Sequence, residues 1–237
     1  MDGIIIVNKP ANWTSFDVVA KIRNLSGVKK VGHSGTLDPI ATGVLPIFLG
    51  KATKLVQFFI GGDKGYMAEM VLGIKTDTLD AAGEVTDESE VQCKLAVIES
   101  TLNKYLGEIE QIPPMHSAIK VNGKRLYKLA RKGITIERQP RKVKIIKIEL
   151  LNYVKGKNPK VTFEVICSKG TYIRQLVSDI GDDLGCGAHL SKLMRTYAHP
   201  FHVTQAVKME TIVTLAKVGR LHSIVLPIDS MLDSTPQ

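Results

Sequence analysis

Gly32-His33-Ser34-Gly35-Thr36-Leu37-Asp38-Pro39-Ile40-Ala41-Thr42-Gly43 is the stretch on which the reading of this 237-residue chain turns. Its three glycines and one proline interrupt both the helical and the strand period, so the spacing predicts an irregular loop. Such loops are where reactive groups are held by a rigid scaffold. A phosphate-binding loop needs Gly-x-x-x-x-Gly-Lys followed by Ser or Thr. Here Gly50-Lys51 is followed by Ala52, and Leu45 stands where the first glycine belongs, which excludes that reading. Gly32-His33-Ser34-Gly35 lacks the spacing of a Gly-x-Ser-x-Gly nucleophile elbow. Asp38 is the one acid of the loop. An Asp before Pro commonly serves as a turn acceptor. A chemical role requires a cation that keeps the carboxylate ionised and aimed. Arg174, in Cys167-Ser168-Lys169-Gly170-Thr171-Tyr172-Ile173-Arg174, is a candidate for that cation.

Outward from the loop, strands and helices both occur without strict alternation, which predicts an α+β architecture rather than a doubly wound sheet. Gly3–Val7, Gly43–Leu49, Gly65–Leu72, Ser117–Val121 and His189–Thr196 read as strands. Val143–Tyr153 and Lys160–Cys167 read as a hairpin around Lys155-Gly156-Lys157-Asn158-Pro159. Helices are expected over Thr14–Leu25, Ala52–Ile60, Lys94–Leu106, Arg125–Lys132, Tyr172–Leu184 and Met209–Val218. Thr14 or Ser15 is placed to cap the first, and Gly27 to end it. The acidic run containing Asp77, Asp80, Glu84, Asp87 and Glu88 is expected to be an exposed connection. One domain over residues 1–237 is expected, with a short extension after about residue 205.

Hydrophobic residues at 44% and charged residues at 23% are those of a globular chain, and no apolar run reaches a membrane-spanning length. Cys93, Cys167 and Cys186 offer neither a disulfide framework nor a Cys-x-x-Cys site, and the expected location is the cytoplasm. The six histidines show no metal-ligand spacing, so neither a metal nor a cofactor is expected. Charge is the informative number: 32 Lys and Arg against 23 Asp and Glu, a net of +9. Between Lys120 and Lys147 lie eleven basic residues and one acid, Glu137, while the rest of the chain is within one charge of neutral. An excess gathered in one segment is the footprint of a polyanion contact, and nucleic acid is the expected partner. Tyr66 and Tyr172, each close behind a glycine, are candidate stacking faces for a base.

These residues together resemble the TruB family of tRNA pseudouridine synthases. Residues 32–46 are similar to that family's catalytic loop, and Asn8-Lys9-Pro10 to its N-terminal Lys-Pro motif. Asp63-Lys64-Gly65-Tyr66, Ser168 to Arg174, and Leu184-Gly185-Cys186-Gly187-Ala188-His189 follow in the family's order. Asn8 and Ser34 stand where other members commonly have Asp and Thr. The resemblance implies the pseudouridine synthase fold, a mixed, largely antiparallel sheet flanked by helices. It implies that Asp38 is the catalytic carboxylate, with Arg174 as its ion-pair partner. Tyr66 is implied to stack on the base, while His33, Tyr172, Leu193 and Lys9 line the nucleotide site. The excursion over about 115–142 corresponds to an RNA-clamping thumb. Its backbone contacts would come from Lys120, Lys124, Arg125, Lys128, Arg131, Lys132, Arg141 and Lys142. The implied reaction converts uridine 55 in the T-loop of tRNA to pseudouridine without a cofactor or metal, by a monomer. A separate C-terminal RNA-binding domain of PUA type is not expected. Attack on C1′, addition to C6 and removal of a C2′ proton all remain open as the role of Asp38. A non-catalytic RNA-binding protein and a synthase for another RNA are the competing readings.

Overall fold

The computed structural model describes residues 1–117, 119–121 and 123–228, and of Lys120 the backbone alone. The chain opens with β1 (Gly3–Lys9), α1 (Ser15–Ser26), β2 (Val31–His33), β3 (Thr42–Leu49), a 3₁₀ segment (Gly50–Leu55), α2 (Val56–Ile60) and β4 (Lys64–Leu72). It continues with β5 (Ile74–Thr76), β6 (Val85–Glu88), α3 (Leu95–Lys104), β7 (Gly107–Gln111), β8 (Lys120–Val121), β9 (Lys124–Arg125) and α4 (Leu126–Ala130). Then come β10 (Arg141–Val154), β11 (Lys160–Cys167), α5 (Ile173–Asp183), β12 (Ala188–Ala198), β13 (Phe201–His202), β14 (Val207–Lys208) and α6 (Met209–Lys217). Two compact units result: Met1–Met67 with the chain from Leu193 onward, and Ala68–Lys192.

In the first unit the strand order is β14-β1-β3-β12-β4, with β2 on β3 and β13 on β12. Gly3-Ile4-Ile5-Ile6-Val7 is apolar at every position because β1 is an interior strand, buried on both faces. It runs antiparallel to β3 and parallel to β14. Ile4, Ile6, Val44, Phe48, Phe59 and Phe201 form the core, with the Phe59 and Phe201 rings stacked 5.6 Å apart. Helix α1 begins where Thr14 accepts from the Asp17 N–H while the Asp17 carboxylate accepts from the Thr14 N–H, a reciprocal capping box. It ends at Gly27 in the left-handed conformation, as the spacing predicted.

In the second unit the order is β12-β4-β11-β10-β7. Strand β11 alternates strictly, with Val161, Phe163, Val165 and Cys167 inward, the period-2 signature of a half-buried strand. It pairs antiparallel with β10 as the hairpin pattern implied. Helix α3 packs on β10 and on α5, whose buried face is Ile173, Leu176, Val177 and Ile180. The sheet is mixed and largely antiparallel, and helices flank it, as expected from the resemblance.

Three expectations are corrected. Residues 50–60 form a 3₁₀ segment and a short α-helix, not one helix from Ala52. Ser117 lies outside the strand expected from it, since β8 holds only Lys120–Val121, and Asn122 of the expected turn lies outside the described residues. The acidic run is not wholly an exposed connection: β5 and β6 pair as a hairpin across it, and Asp80 is buried. Strand β7 went unread because Gly107-Glu108-Ile109-Glu110-Gln111 has too few apolar residues to announce itself.

The strand pair that carries the loop depends on one glycine. β3 runs parallel to β12 with Gly43 opposite Arg195. A Cβ at Gly43 would lie 2.2 Å from the Arg195 carbonyl oxygen, and its φ is 97°. Gly43→Ala is therefore expected to lose about 2–4 kcal/mol in urea unfolding, through backbone strain and forced strand separation. An unfolding midpoint equal to wild type would show that β3 and β12 can part here at no cost.

Candidate active site

The sequence-predicted loop leaves β2 at His33 and joins β3 at Thr42. Leu37 and Ala41 are buried on either side of the half-buried Asp38, so the carboxylate is held between two apolar anchors. The Ala41 N–H donates to the Asp38 carbonyl at 3.0 Å, closing the turn that Pro39 initiates. Ser15, at the start of α1, exchanges hydrogen bonds with both backbone groups of Leu37: the Leu37 N–H donates to Ser15 Oγ at 2.9 Å, and Oγ donates to the Leu37 carbonyl at 3.3 Å. The Pro39 carbonyl accepts from the Asn12 N–H at 2.8 Å. Backbone polar groups that would otherwise be orphaned beneath the loop are thereby satisfied.

Two buried cations bond to the carbonyls of this loop. Lys9, at the end of β1, has no exposed surface, and its ammonium donates to the carbonyls of Trp13 (2.6 Å), Pro10 (2.8 Å) and Pro39 (3.2 Å). Three donors on one nitrogen meet three carbonyls, so the lysine pins the loop to the segment after β1. Burial pulls its pKa down to about 8, against the attraction of Asp38 and with the repulsion of Arg195. Arg195, on β12 and 2% exposed, donates through Nε to the Val44 carbonyl (2.7 Å) and through Nη2 to the Gly35 carbonyl (3.2 Å). His33 Nδ1 accepts from the Gly35 N–H at 3.2 Å, which leaves Nε2 as the protonated nitrogen of the neutral ring. Burial and then Arg195 lower the His33 pKa, favouring that neutral ring. Leu193 is buried two residues before Arg195, and its carbonyl accepts from Thr42 Oγ1 at 3.4 Å. Lys9, His33, Asp38, Tyr66 and Leu193 thus all belong to the first unit.

Tyr172 and Arg174 belong to the second unit. Tyr172 precedes α5, and the buried Gln111 side chain pairs with it as a strand would. Its Oε1 accepts from the Tyr172 N–H at 2.8 Å, and its Nε2 donates to the Tyr172 carbonyl at 3.1 Å. Arg174 is 4% exposed and Asp80 6%, with Nε and Oδ2 3.6 Å apart. Nη1 donates to the Thr78 carbonyl (2.9 Å) and Nη2 to the His116 carbonyl (2.8 Å). Asp80 Oδ1 accepts from Thr78 Oγ1 (2.7 Å) and the Ala82 N–H (3.0 Å). A guanidinium held by several partners is fixed in direction, as a planar fork requires.

Asp80, Gln111 and Arg195 escaped the sequence reading. Asp80 was hidden among exposed acids. A signal for Arg195 did exist: it shares the inward face of a strand with Leu193, an unusual position for a charge.

The basic excursion contains the β8–β9 hairpin and α4, with Leu126 buried beneath it. Lys124, Arg125, Lys128, Arg131, Lys132, Arg141 and Lys142 are all exposed, and the Lys120 side chain lies outside the described residues. Gly123, Lys124, Arg125, Lys128, Leu129, Lys132 and Ile134 line a concavity of about 480 Å³. The Arg131 guanidinium lies 5.6 Å from the Tyr127 ring centre. Among the described residues no group of three metal-ligating side chains occurs, and no helix is long and apolar enough to cross a membrane.

Residues 23–173 match the family described as TruB family pseudouridylate synthase (N terminal domain), and residues 174–233 match the tRNA pseudouridylate synthase B C-terminal domain. The chain belongs to the TruB family. It is 46% identical over 242 residues to a protein of Geobacillus thermodenitrificans named tRNA pseudouridine synthase B, covering 100% of this chain and 80% of the relative. A protein of the same name from Symbiobacterium thermophilum is 48% identical over 211 residues, covering 89% of this chain and 71% of the relative. Among solved structures, a chain of a Cbf5–Nop10–Gar1 complex superposes with a TM-score of 0.76 at 32% identity, over 98% of this chain. One from an H/ACA RNP bound to a substrate RNA containing 2′-deoxyuridine gives 0.74 at 29% identity, also over 98% of this chain. This TruB-family chain spans 62% and 61% of those two chains.

The buried Lys9 carries a sign that can be measured. Its folded pKa of about 8 lies below the ordinary 10.5, so between those values the unfolded chain holds a proton that the folded chain has released. Stability contributed by Lys9 therefore rises with pH across that window, by up to about 1 kcal/mol per pH unit. Wild type is expected to gain urea-unfolding free energy relative to Lys9→Met from pH 8 to pH 10. A constant difference would place the folded and unfolded pKa values together.

Proposed function

We propose that this protein isomerises uridine to pseudouridine at position 55 in the T-loop of tRNA, with Asp38 as its catalytic carboxylate. The observation that carries the reading is the carboxylate itself: one acid, held half-buried in a glycine-rich loop pinned by Lys9, in a chain of the TruB family. Isomerisation breaks the bond from C1′ to N1, turns the base and joins C1′ to C5. It transfers nothing to or from a second substrate, so no redox group or donor is required.

A uracil inside a folded T-loop must first be turned out of its stack, which costs a few kcal/mol. Tyr66 offers the aromatic face that offsets this cost, and its hydroxyl is available for proton transfer at the ribose or base. His33, Tyr172, Leu193 and Lys9 line the nucleotide site in this reading. Arg174 is the ion-pair partner of Asp38 in this reading. Its restraint by Asp80 and two carbonyls supports a fixed direction for that guanidinium. An ionised Asp38 serves attack on C1′, addition to C6, or removal of the C2′ proton. The exposed cations from Lys124 to Lys142 hold the phosphate backbone of the T-arm, with Lys120 included from the sequence. One copy of the chain supplies every residue this scheme uses, and the enzyme acts as a monomer in the cytoplasm, where its substrate is.

Tritium release from tRNA carrying 5-³H-uridine tests the reaction. Wild type is expected to release tritium in metal-free buffer, and Asp38→Asn to bind tRNA with similar affinity while losing at least about 10³-fold in rate. Turnover by Asp38→Asn within tenfold of wild type would remove Asp38 from the chemistry. Tight tRNA binding with no release by wild type would make the chain an RNA-binding protein. Neutralising Lys124, Arg125, Lys128 and Arg131 together is expected to lower the slope of log affinity against log salt by about 3, at about 0.7–0.9 per phosphate contact. An unchanged slope would take the excursion out of the interface.

A further inference from the structure

We infer that Gln111 is a positioning residue of this reaction, acting through the backbone of Tyr172, which its side chain ties to the root of the basic excursion. The inference rests on the reading given above, in which Tyr172 lines the nucleotide site. Gln111 ends β7 and is 2% exposed, while Glu108 and Glu110 before it on that strand stand in water. A buried amide adds little net stability, because its bonds to protein replace bonds to water. What it adds is direction, and its two bonds show toward what.

Tyr172 is extended, with φ −100° and ψ 108°, and stands just before the first turn of α5. The N–H and C=O of an extended residue point to the same side, where a neighbouring strand would exchange both bonds with it. Here Gln111 Oε1 accepts from that N–H at 2.8 Å and Nε2 donates to that C=O at 3.1 Å, so one side chain takes the place of a strand. The Tyr172 carbonyl also accepts from the Leu176 N–H at 3.0 Å, which joins the same atom to the first turn of the helix. The chain leaves β7 after Gln111, makes the basic excursion and re-enters the sheet at Arg141, directly opposite Gln111. Gln111 therefore has its backbone at the root of the excursion and its side chain on Tyr172. Two residues past Tyr172, Arg174 holds the His116 carbonyl at 2.8 Å, so the first stretch of the excursion is bonded to the start of α5 a second time. Methionine fills a similar volume at position 111 but offers neither bond. Ionised glutamate keeps the acceptor for the Tyr172 N–H and loses the donor to its carbonyl.

A double-mutant cycle tests the inference, with Gln111→Met and Tyr172→Ala read by single-turnover pseudouridine formation at saturating enzyme, tRNA affinity and melting temperature. Gln111→Met is expected to slow single turnover by about 10–100-fold, as small misplacements around a reacting centre do, with tRNA affinity within about threefold of wild type. In the Tyr172→Ala background the same substitution is expected to cost less than about threefold more, because the ring it positions is gone. A merely structural role would slow turnover equally in both backgrounds, and that additive result overturns the inference. Lost affinity at an unchanged single-turnover rate, or turnover by Gln111→Met within about twofold of wild type, overturns it as well. If Gln111→Met does not fold, Gln111→Glu, of nearly the same shape, takes its place in the cycle with the same expected and overturning results. Wild type inactive on tRNA would overturn the functional reading and this inference with it, whereas active wild type with an additive cycle would overturn only the role of Gln111.

Discussion

A buried ammonium shared among three carbonyls is the contact on which the loop around Asp38 depends. Lys9 ties Pro10, Trp13 and Pro39 to one point, so the loop cannot move away from the end of β1 without stranding a charge or leaving carbonyls unpaired. Loops rich in glycine carry a large conformational entropy when free. Here that freedom is removed from both sides. Ser15 holds Leu37, and buried Leu37 and Ala41 seat the two flanks of Asp38. The acid is left with little choice of place while staying half-exposed for a substrate.

Charge is distributed on two scales. Within the first unit, Lys9 and Arg195 are buried cations, and burial of the His33 ring together with Arg195 favours its neutral form. Within the second, Asp80 neutralises Arg174 in part and restricts its direction. On the surface, the cations of the basic excursion stand in water, where their field reaches about a Debye length rather than one atom. Buried charges thus serve geometry, and exposed ones serve attraction.

The elements legible in the sequence were those whose cause is local. Thr14, Asp17 and Gly27 mark both ends of α1 within a few residues of each other. The alternation of Val161, Phe163, Val165 and Cys167 announces β11, and the apolar run of Ile4 to Val7 announces an interior strand. The loop around Asp38 was legible for the same reason, since glycine and proline limit their own dihedral angles. Strands β7, β13 and β14 were not, because five residues rich in Glu, or two residues alone, form strands only where a neighbour supplies the hydrogen bonds. The helical pattern of Ala52–Ile60 is divided between the end of a 3₁₀ segment and the short helix α2.

Residue types and their order determined the loop, the lone acid within it, the tyrosines behind glycines and the concentration of positive charge, and with them the family. Tertiary structure alone decided which polar side chains are buried and what they hold. Asp80 looks like its exposed acidic neighbours until Arg174, Thr78 and the Ala82 backbone enclose it. Arg195 meets the Val44 carbonyl across 151 residues of sequence. No local pattern encodes such a contact, because the burial of a side chain depends on which strands come to lie beside it.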